Sequence, residues 1–250
     1  MIHFLFGILG AVFGSFSNVI IYRLPREKLS INIPKRSFCP YCGHELIWKD
    51  NIPIISYILL KGKCRYCEKT ISPRYPVVES LTAISFVMNS IFFPFYQSLA
   101  LCLISSGLII ISFIDIEQMI IPDTGLIISG IGAAILSYLR KDWPGILVQA
   151  AIVFGLMIVF YLFANYFKKD SFGFGDVELF GILALSLGFI GILFTIMLSS
   201  IIALITFVII RAMKSEKIKL DYRIPFGPFI ALAGYLTMFF LDSIRNIYGL

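Results

Sequence analysis

The residues from Leu179 to Ile210 form a run of 32 without a single Asp, Glu, Lys or Arg. Crossing the ~30 Å hydrocarbon core of a bilayer takes about 20 apolar residues in a helix that rises about 1.5 Å per residue. This run constrains the fold more than any other feature, and it has company. Ile2 to Tyr22 and Trp143 to Phe167 are equally free of formal charge. Of the 250 residues, 58% are hydrophobic and 14% charged, with a mean hydropathy of +0.90. Soluble domains carry about 25% charged residues, so the chain reads as an all-α polytopic membrane protein. The first run has no basic stretch before it and no small-residue cleavage site after it, which makes it a retained span rather than a removable leader.

The pattern predicts about eight transmembrane helices, near 3–22, 77–93, 99–114, 125–139, 145–166, 177–190, 192–210 and 225–241. The 179–210 run is divided at Gly188-Phe-Ile-Gly191, because a single straight helix of that length overshoots the core; one tilted helix is the alternative. Three regions follow: a first span (1–22), a polar loop (23–76) and a transmembrane core (77–250). No repeat of fixed period is evident.

Charge orients these spans. The 23–76 loop holds 11 Lys/Arg against 4 Asp/Glu, whereas the rest of the chain holds 10 against 11. With the loop cytoplasmic and the spans alternating, 18 Lys/Arg face inward; Arg140, Lys141 and Arg245 face outward. That bias is the positive-inside rule, and it accounts for the net charge of +6 without nucleic acid as a partner.

The loop carries Cys39-Pro-Tyr-Cys42 and Cys64-Arg-Tyr-Cys67, two CxxC knuckles with 21 residues between them. Two-residue spacing lets neighbouring thiolates share one tetrahedral ion, and two knuckles complete a four-sulfur shell. Disulfides or redox thiols are the alternative, but a cytoplasmic loop is reducing and one zinc explains all four cysteines. With no open position, that zinc is structural. It holds a loop that has little apolar core of its own. His44 reads as a surface residue and Cys102, inside the third span, as a small apolar filler.

Acidic residues gather at predicted span ends. Ser112-Phe-Ile-Asp115-Ile-Glu117 closes the third span, Ile121-Pro-Asp123 opens the fourth, and Gly173-Phe-Gly-Asp176-Val-Glu178 opens the sixth. In the orientation above, Asp115, Asp123 and Asp176 lie at the cytoplasmic edge, where an ionisable group is a functional candidate. Two carboxylates held together share a proton. The ionised member activates water, and the protonated one donates to a carbonyl, which together hydrolyse a peptide bond without metal or covalent intermediate. Asp123, following Pro, also reads as an N-cap, and Glu117 and Glu178 as solvated interfacial charges. An ion or proton site in a transporter is a second reading of Asp115 and Asp176.

At these residues the chain resembles the bacterial type IV prepilin peptidases, which are leader peptidases and N-methyltransferases. The stretches that carry the resemblance are Phe13-Gly-Ser-Phe-Ser-Asn-Val-Ile-Ile-Tyr-Arg-Leu-Pro25, the paired CxxC loop with Ile71-Ser-Pro-Arg-Tyr-Pro76 and Glu79, Asp115 with Pro122-Asp123, Gly173-Phe-Gly-Asp176, and Pro225-Phe-Gly-Pro-Phe229. The resemblance implies catalytic roles for Asp115 and Asp176 and zinc ligation by Cys39, Cys42, Cys64 and Cys67. It implies substrates that are prepilins or pseudopilins, whose short basic leaders are cut before a hydrophobic helix, commonly between Gly and Phe. It also implies methylation of the new N-terminus from S-adenosylmethionine. No glycine fingerprint for that donor is present, so its residues stay unassigned, with Glu79 a weak candidate. The expected location is the bacterial cytoplasmic membrane, embedded in lipid, with the active site on the cytoplasmic face. Three alternatives stay open: a peptidase without methylation, an intramembrane aspartic protease of the presenilin kind, and a zinc-bound transporter or assembly platform.

Overall fold

A computed structural model describes residues 1–26, 30–140, 143–168, 172–213 and 224–248, with side chains described up to residue 240. Of the basic residues used to orient the spans, Lys28, Lys141, Lys169, Lys214, Lys217, Lys219 and Arg223 lie outside the described residues, as does the Arg245 side chain. The chain divides into two compact units, Met1–Ile110 and Ile111–Leu250.

Among the described residues eight α-helices run in the order α1 (Ile2–Arg23), α2 (Ile55–Leu59), α3 (Arg74–Phe92), α4 (Phe95–Gln118), α5 (Asp123–Leu139), α6 (Trp143–Phe167), α7 (Phe174–Met213) and α8 (Gly227–Tyr248). Proline sets many of the starts. It precedes α3, α4 and α5 as Pro73, Pro94 and Pro122, and occupies the first turn of α6 and α8 as Pro144 and Pro228. Its missing N–H falls where an amide has no intrahelical partner anyway. Helices α1, α3, α4, α6 and α7 are long and apolar enough to cross a membrane; α5 and Gly227–Phe240 are apolar but shorter. The fold is a multi-pass helical membrane protein, and among the described residues extended pairing is limited to three isolated bridges.

The 40 residues of α7 are two helices end to end. Gly188 breaks them with φ +67° and ψ −175°, a backbone setting that L side chains avoid. The freed polar groups are not left bare. Gln149 Oε1 of α6 accepts the Phe189 N–H at 3.0 Å, and the Arg140 guanidinium at the end of α5 donates to the Ser186 carbonyl. With α7 counted as two segments, the expected eight spans match the apolar helices, and the division falls at Gly188.

In the first unit α1 packs on α3 at glycines. A Cβ on Gly10 would stand 2.7 Å from Ala83 Cα, and one on Gly14 would stand 2.7 Å from Glu79 Cα. Small residues spaced four apart allow this close crossing in lipid. Phe6, Phe86 and Cys102 form a small core there, as expected of an apolar cysteine. In the second unit α7 packs against α5, α6 and α8, burying Phe180, Leu183, Leu187 and Ile230.

Candidate functional site

The polar loop is anchored at its base by residues of the Phe13–Pro25 stretch. Arg23, 4% exposed, donates to the carbonyls of Ile31 (2.9 Å), Pro34 (2.6 Å) and Arg36 (2.9 Å), with Ser30 O at 3.4 Å. Four carbonyl dipoles around one guanidinium offset the cost of burying its charge. Asn18 Nδ2 donates to Tyr75 O at 3.0 Å, joining α1 to the start of α3. Glu79, buried in α3, accepts the Ile54 N–H at 2.7 Å through Oε2. Ile54 sits at φ +62° just before α2, so Glu79 secures a strained corner of the loop.

The two knuckles repeat one another at an offset of 25 residues, a period too local to show in the sequence pattern. Cys39 N donates to His44 O and Cys64 N to Lys69 O; Gly43 N donates to Cys39 O and Glu68 N to Cys64 O. The bridges Phe38↔Glu45 and Lys63↔Thr70 flank them. The fifth residue of each knuckle, Gly43 and Glu68, has positive φ. The rings cross over: His44 of the first knuckle stacks on Tyr66 of the second, with ring centroids 3.5 Å apart, while Lys69 of the second covers Tyr41 of the first at 5.1 Å. The pair therefore has the logic of a two-fold, with each half capping the other's aromatic ring.

At its centre the Sγ atoms of Cys39, Cys42, Cys64 and Cys67 lie within 4.8 Å of one another, and Cys39 Sγ to Cys67 Sγ is 3.9 Å. Sulfurs about 2.3 Å from a tetrahedral zinc stand about 3.8 Å apart, whereas a disulfide brings them to about 2.05 Å. All four cysteines are free thiols. Burial opposes ionisation of Cys64, but the backbone amides of Cys67 and Tyr66 outweigh it and bring its pKa to about 7. At Cys67 the Lys69 amide favours the thiolate. Burial and the crowding thiols of Cys64, Cys42 and Cys39 prevail, raising it to about 11. A shell of four thiolates thus needs a cation at its centre, and the donor set fits zinc.

The acidic residues belong to the second unit. Asp115 lies in the last turn of α4, 5% exposed, and its Oδ2 accepts the N–H of Gly227, the first residue of α8, at 2.9 Å. It thereby satisfies one of the amides that a helix start leaves open. A Cβ on Gly227 would stand 2.8 Å from that same oxygen. Asp176 lies in the first turn of α7, and a Cβ on Gly173 would stand 3.2 Å from its Oδ2. Gly175 admits Ile121 of the α4–α5 connection, whose Cβ would be 2.7 Å from an added methyl. Asp115 and Asp176 lie within range of each other's charge. Asp123 departs from expectation: the N-cap of α5 is Pro122 without a side-chain cap bond, and Asp123 is the first helical residue. Its carboxylate stays in the field of Glu178 instead. Gly227 went without a role in the sequence because its contact with Asp115 spans 112 residues.

Carboxylates gathered at helix ends of a multi-pass apolar bundle are compatible with a membrane-embedded peptidase, the class to which the comparisons point. Residues 8–93 match the family model described as Bacterial Peptidase A24 N-terminal domain, and residues 102–208 match the Type IV leader peptidase family. The chain is 34% identical to the prepilin leader peptidase/N-methyltransferase of Pseudomonas aeruginosa, over 96% of this chain and 91% of that one. It is 33% identical to the protein of the same name from Vibrio cholerae, over 94% and 95%. The protein of that name from Legionella pneumophila shares 30% identity over 97% and 92%. No solved structure matches the chain. The chain belongs to the type IV leader peptidase family.

Proposed function

We propose that the protein cleaves the basic leader from prepilins or pseudopilins at the cytoplasmic face of the inner membrane and methylates the new N-terminus. What supports the reading is the placement of two carboxylates at helix ends of the second unit, Asp115 closing α4 on the Gly227 amide and Asp176 opening α7 against Gly173, each within reach of the other's charge. In this role the ionised carboxylate takes a proton from water as the water attacks the scissile carbonyl. The protonated one donates to the carbonyl oxygen, and the leaving amine then regains a proton. The Gly227 amide orients Asp115, so the geometry of the pair is set before substrate arrives.

Methyl transfer needs a neutral amine in line with its donor and has no use for a water-activating pair. It is therefore assigned to the first unit. S-adenosylmethionine supplies an electrophilic methyl; the amine displaces its sulfur and loses a proton. Glu79 is engaged with Ile54 and acts there as a loop anchor. A cavity of about 700 Å³ beside α1 fits the donor better, with Lys35 for its carboxylate, Asn32 and Asn51 for its ammonium and ribose, and Val12 and Phe16 for its purine. The zinc is structural and holds the loop that forms this cavity.

The test is to incubate the purified protein with a prepilin, with and without labelled S-adenosylmethionine. A shortened pilin carrying label is expected; an uncut prepilin would reject the reading. S-adenosylhomocysteine binding, followed by calorimetry, is expected to weaken in Lys35→Glu and to persist in Asp176→Asn.

A further inference from the structure

The second unit carries an open groove of about 700 Å³ that the hydrolytic chemistry does not use. Helices α5, α6 and α7 each line it with four residues at i, i+3, i+4 and i+7, starting from Asp123, Leu147 and Glu178 respectively. One face from each of three helices makes a trough about 10 Å long. Two turns of a helix about 10–12 Å across occupy on the order of 800–1200 Å³, so a trough open on one side takes most of such a segment. Its floor is kept low by Gly181, which lets the Phe154 ring close on α7: an added Cβ there would meet the ring at 2.6 Å.

The trough is apolar except at one end. Helices α5 and α7 both begin there, bringing Asp123 and Glu178 together as the formal charges of its lining among the described residues. Glu178 is two residues from Asp176, and positions i and i+2 of a helix point to different sides. The start of α7 thus turns one carboxylate to Asp115 and another into the groove.

We propose that this groove seats the apolar helix of the substrate, with a cationic residue of the leader held between Asp123 and Glu178. Two acidic groups at the mouth repel the headgroup of an anionic lipid and attract a cationic peptide flank, which selects a peptide occupant. The assignment deepens the prepilin reading and rests on it. It makes Asp123 and Glu178 specificity-determining residues, distinct from the aspartate pair that performs hydrolysis.

A charge exchange tests it, using the full-length enzyme in lipid nanodiscs. The probes are a prepilin with Lys/Arg in its leader and the same prepilin with those positions changed to Glu. The wild type is expected to prefer the basic leader by about tenfold or more in kcat/KM. Glu178→Lys and the double Asp123→Lys/Glu178→Lys variant are expected to reverse that preference, mainly through KM. An unchanged preference in variants that still cleave overturns the groove assignment. A wild type that cuts neither prepilin overturns the peptidase reading instead. A photo-crosslinking amino acid at Ile127, 60% exposed on the groove wall, in the Asp115→Asn enzyme is expected to capture the prepilin helix. Adducts to lipid alone overturn the assignment, whether or not the charge variants fold.

Discussion

The cysteine loop and the helical second unit are held together by different physics. Between residues 30 and 73 only Cys39 and Cys64 are buried. The four-cysteine cluster is therefore the core of that segment, helped by the buried Arg23 and Glu79 anchors on neighbouring helices. The second unit instead buries a continuous apolar interior around α7, with Leu179, Leu183 and Ala184 fully enclosed. One region converges on a single four-thiol cluster suited to one ion, and the other spreads its buried contacts over many side chains. A local chemical insult should therefore unfold the first and spare the second.

Replacing Cys39 or Cys64 with Ser should have the largest effect. Structural zinc contributes about 10–16 kcal/mol to folding in finger peptides at neutral pH, far more than this loop can recover from its apolar residues. Native mass spectrometry should find one zinc in the wild type and little in either variant. Limited proteolysis should open 30–73 while the helix signal in circular dichroism stays. Intact zinc in both variants would remove the metal from its place as the loop's core.

Next comes Asp115→Asn or Asp176→Asn, each expected to lower cleavage by about 10²–10⁴-fold with zinc content unchanged. The Asp176→Asn enzyme should still methylate a pilin supplied already cleaved. Near-normal cleavage in either variant would exclude that residue from the pair; loss of methylation would show that the two activities share a site. Gly227→Ala should slow cleavage by about 10²-fold without unfolding, because the new methyl displaces Asp115 while both carboxylates remain. A rate unchanged there would mean the Asp115–Gly227 contact orients nothing.

Smaller effects probe the helical unit itself. Gly188→Ala puts a side chain where the backbone favours glycine and crowds Gln149 Oε1 at 2.6 Å, and should cost about 1–3 kcal/mol, read as a lower unfolding temperature in detergent. Asp123→Asn should cost only about 0.3–1 kcal/mol of helix stability, since it forfeits a favourable charge at a helix start rather than a cap.

What the sequence disclosed follows the same divide. The spans were legible because helices that cross lipid are long and uncharged, and Gly188 marked the break because a straight helix of that run overshoots the core. Cys39, Cys42, Cys64 and Cys67 were legible as a set because ligand spacing is a local property. Asp115 and Asp176 stood out as charges at the ends of apolar runs. Contacts made through space left no local trace: Gly227 on Asp115, Arg23 among four carbonyls, and the crossed rings of His44 and Tyr66. Asp123 misled because Asp after Pro resembles a cap, whereas Pro122 itself takes the capping position and Asp123 is the first helical residue.

The broken helix also bears on how the chain is built into its membrane. An amide and a carbonyl are freed at Gly188, where one span hands over to the next, and a polar group left unmet as it is taken out of water costs several kcal/mol. Their partners, Arg140 and Gln149, precede Gly188 in the chain. During synthesis the end of α5 and the whole of α6 leave the ribosome before the break does, so the groups that receive it are already in place. A permuted gene that delivers α7 first would bring the break to the membrane edge with nothing to meet it, and should stall at insertion rather than at folding.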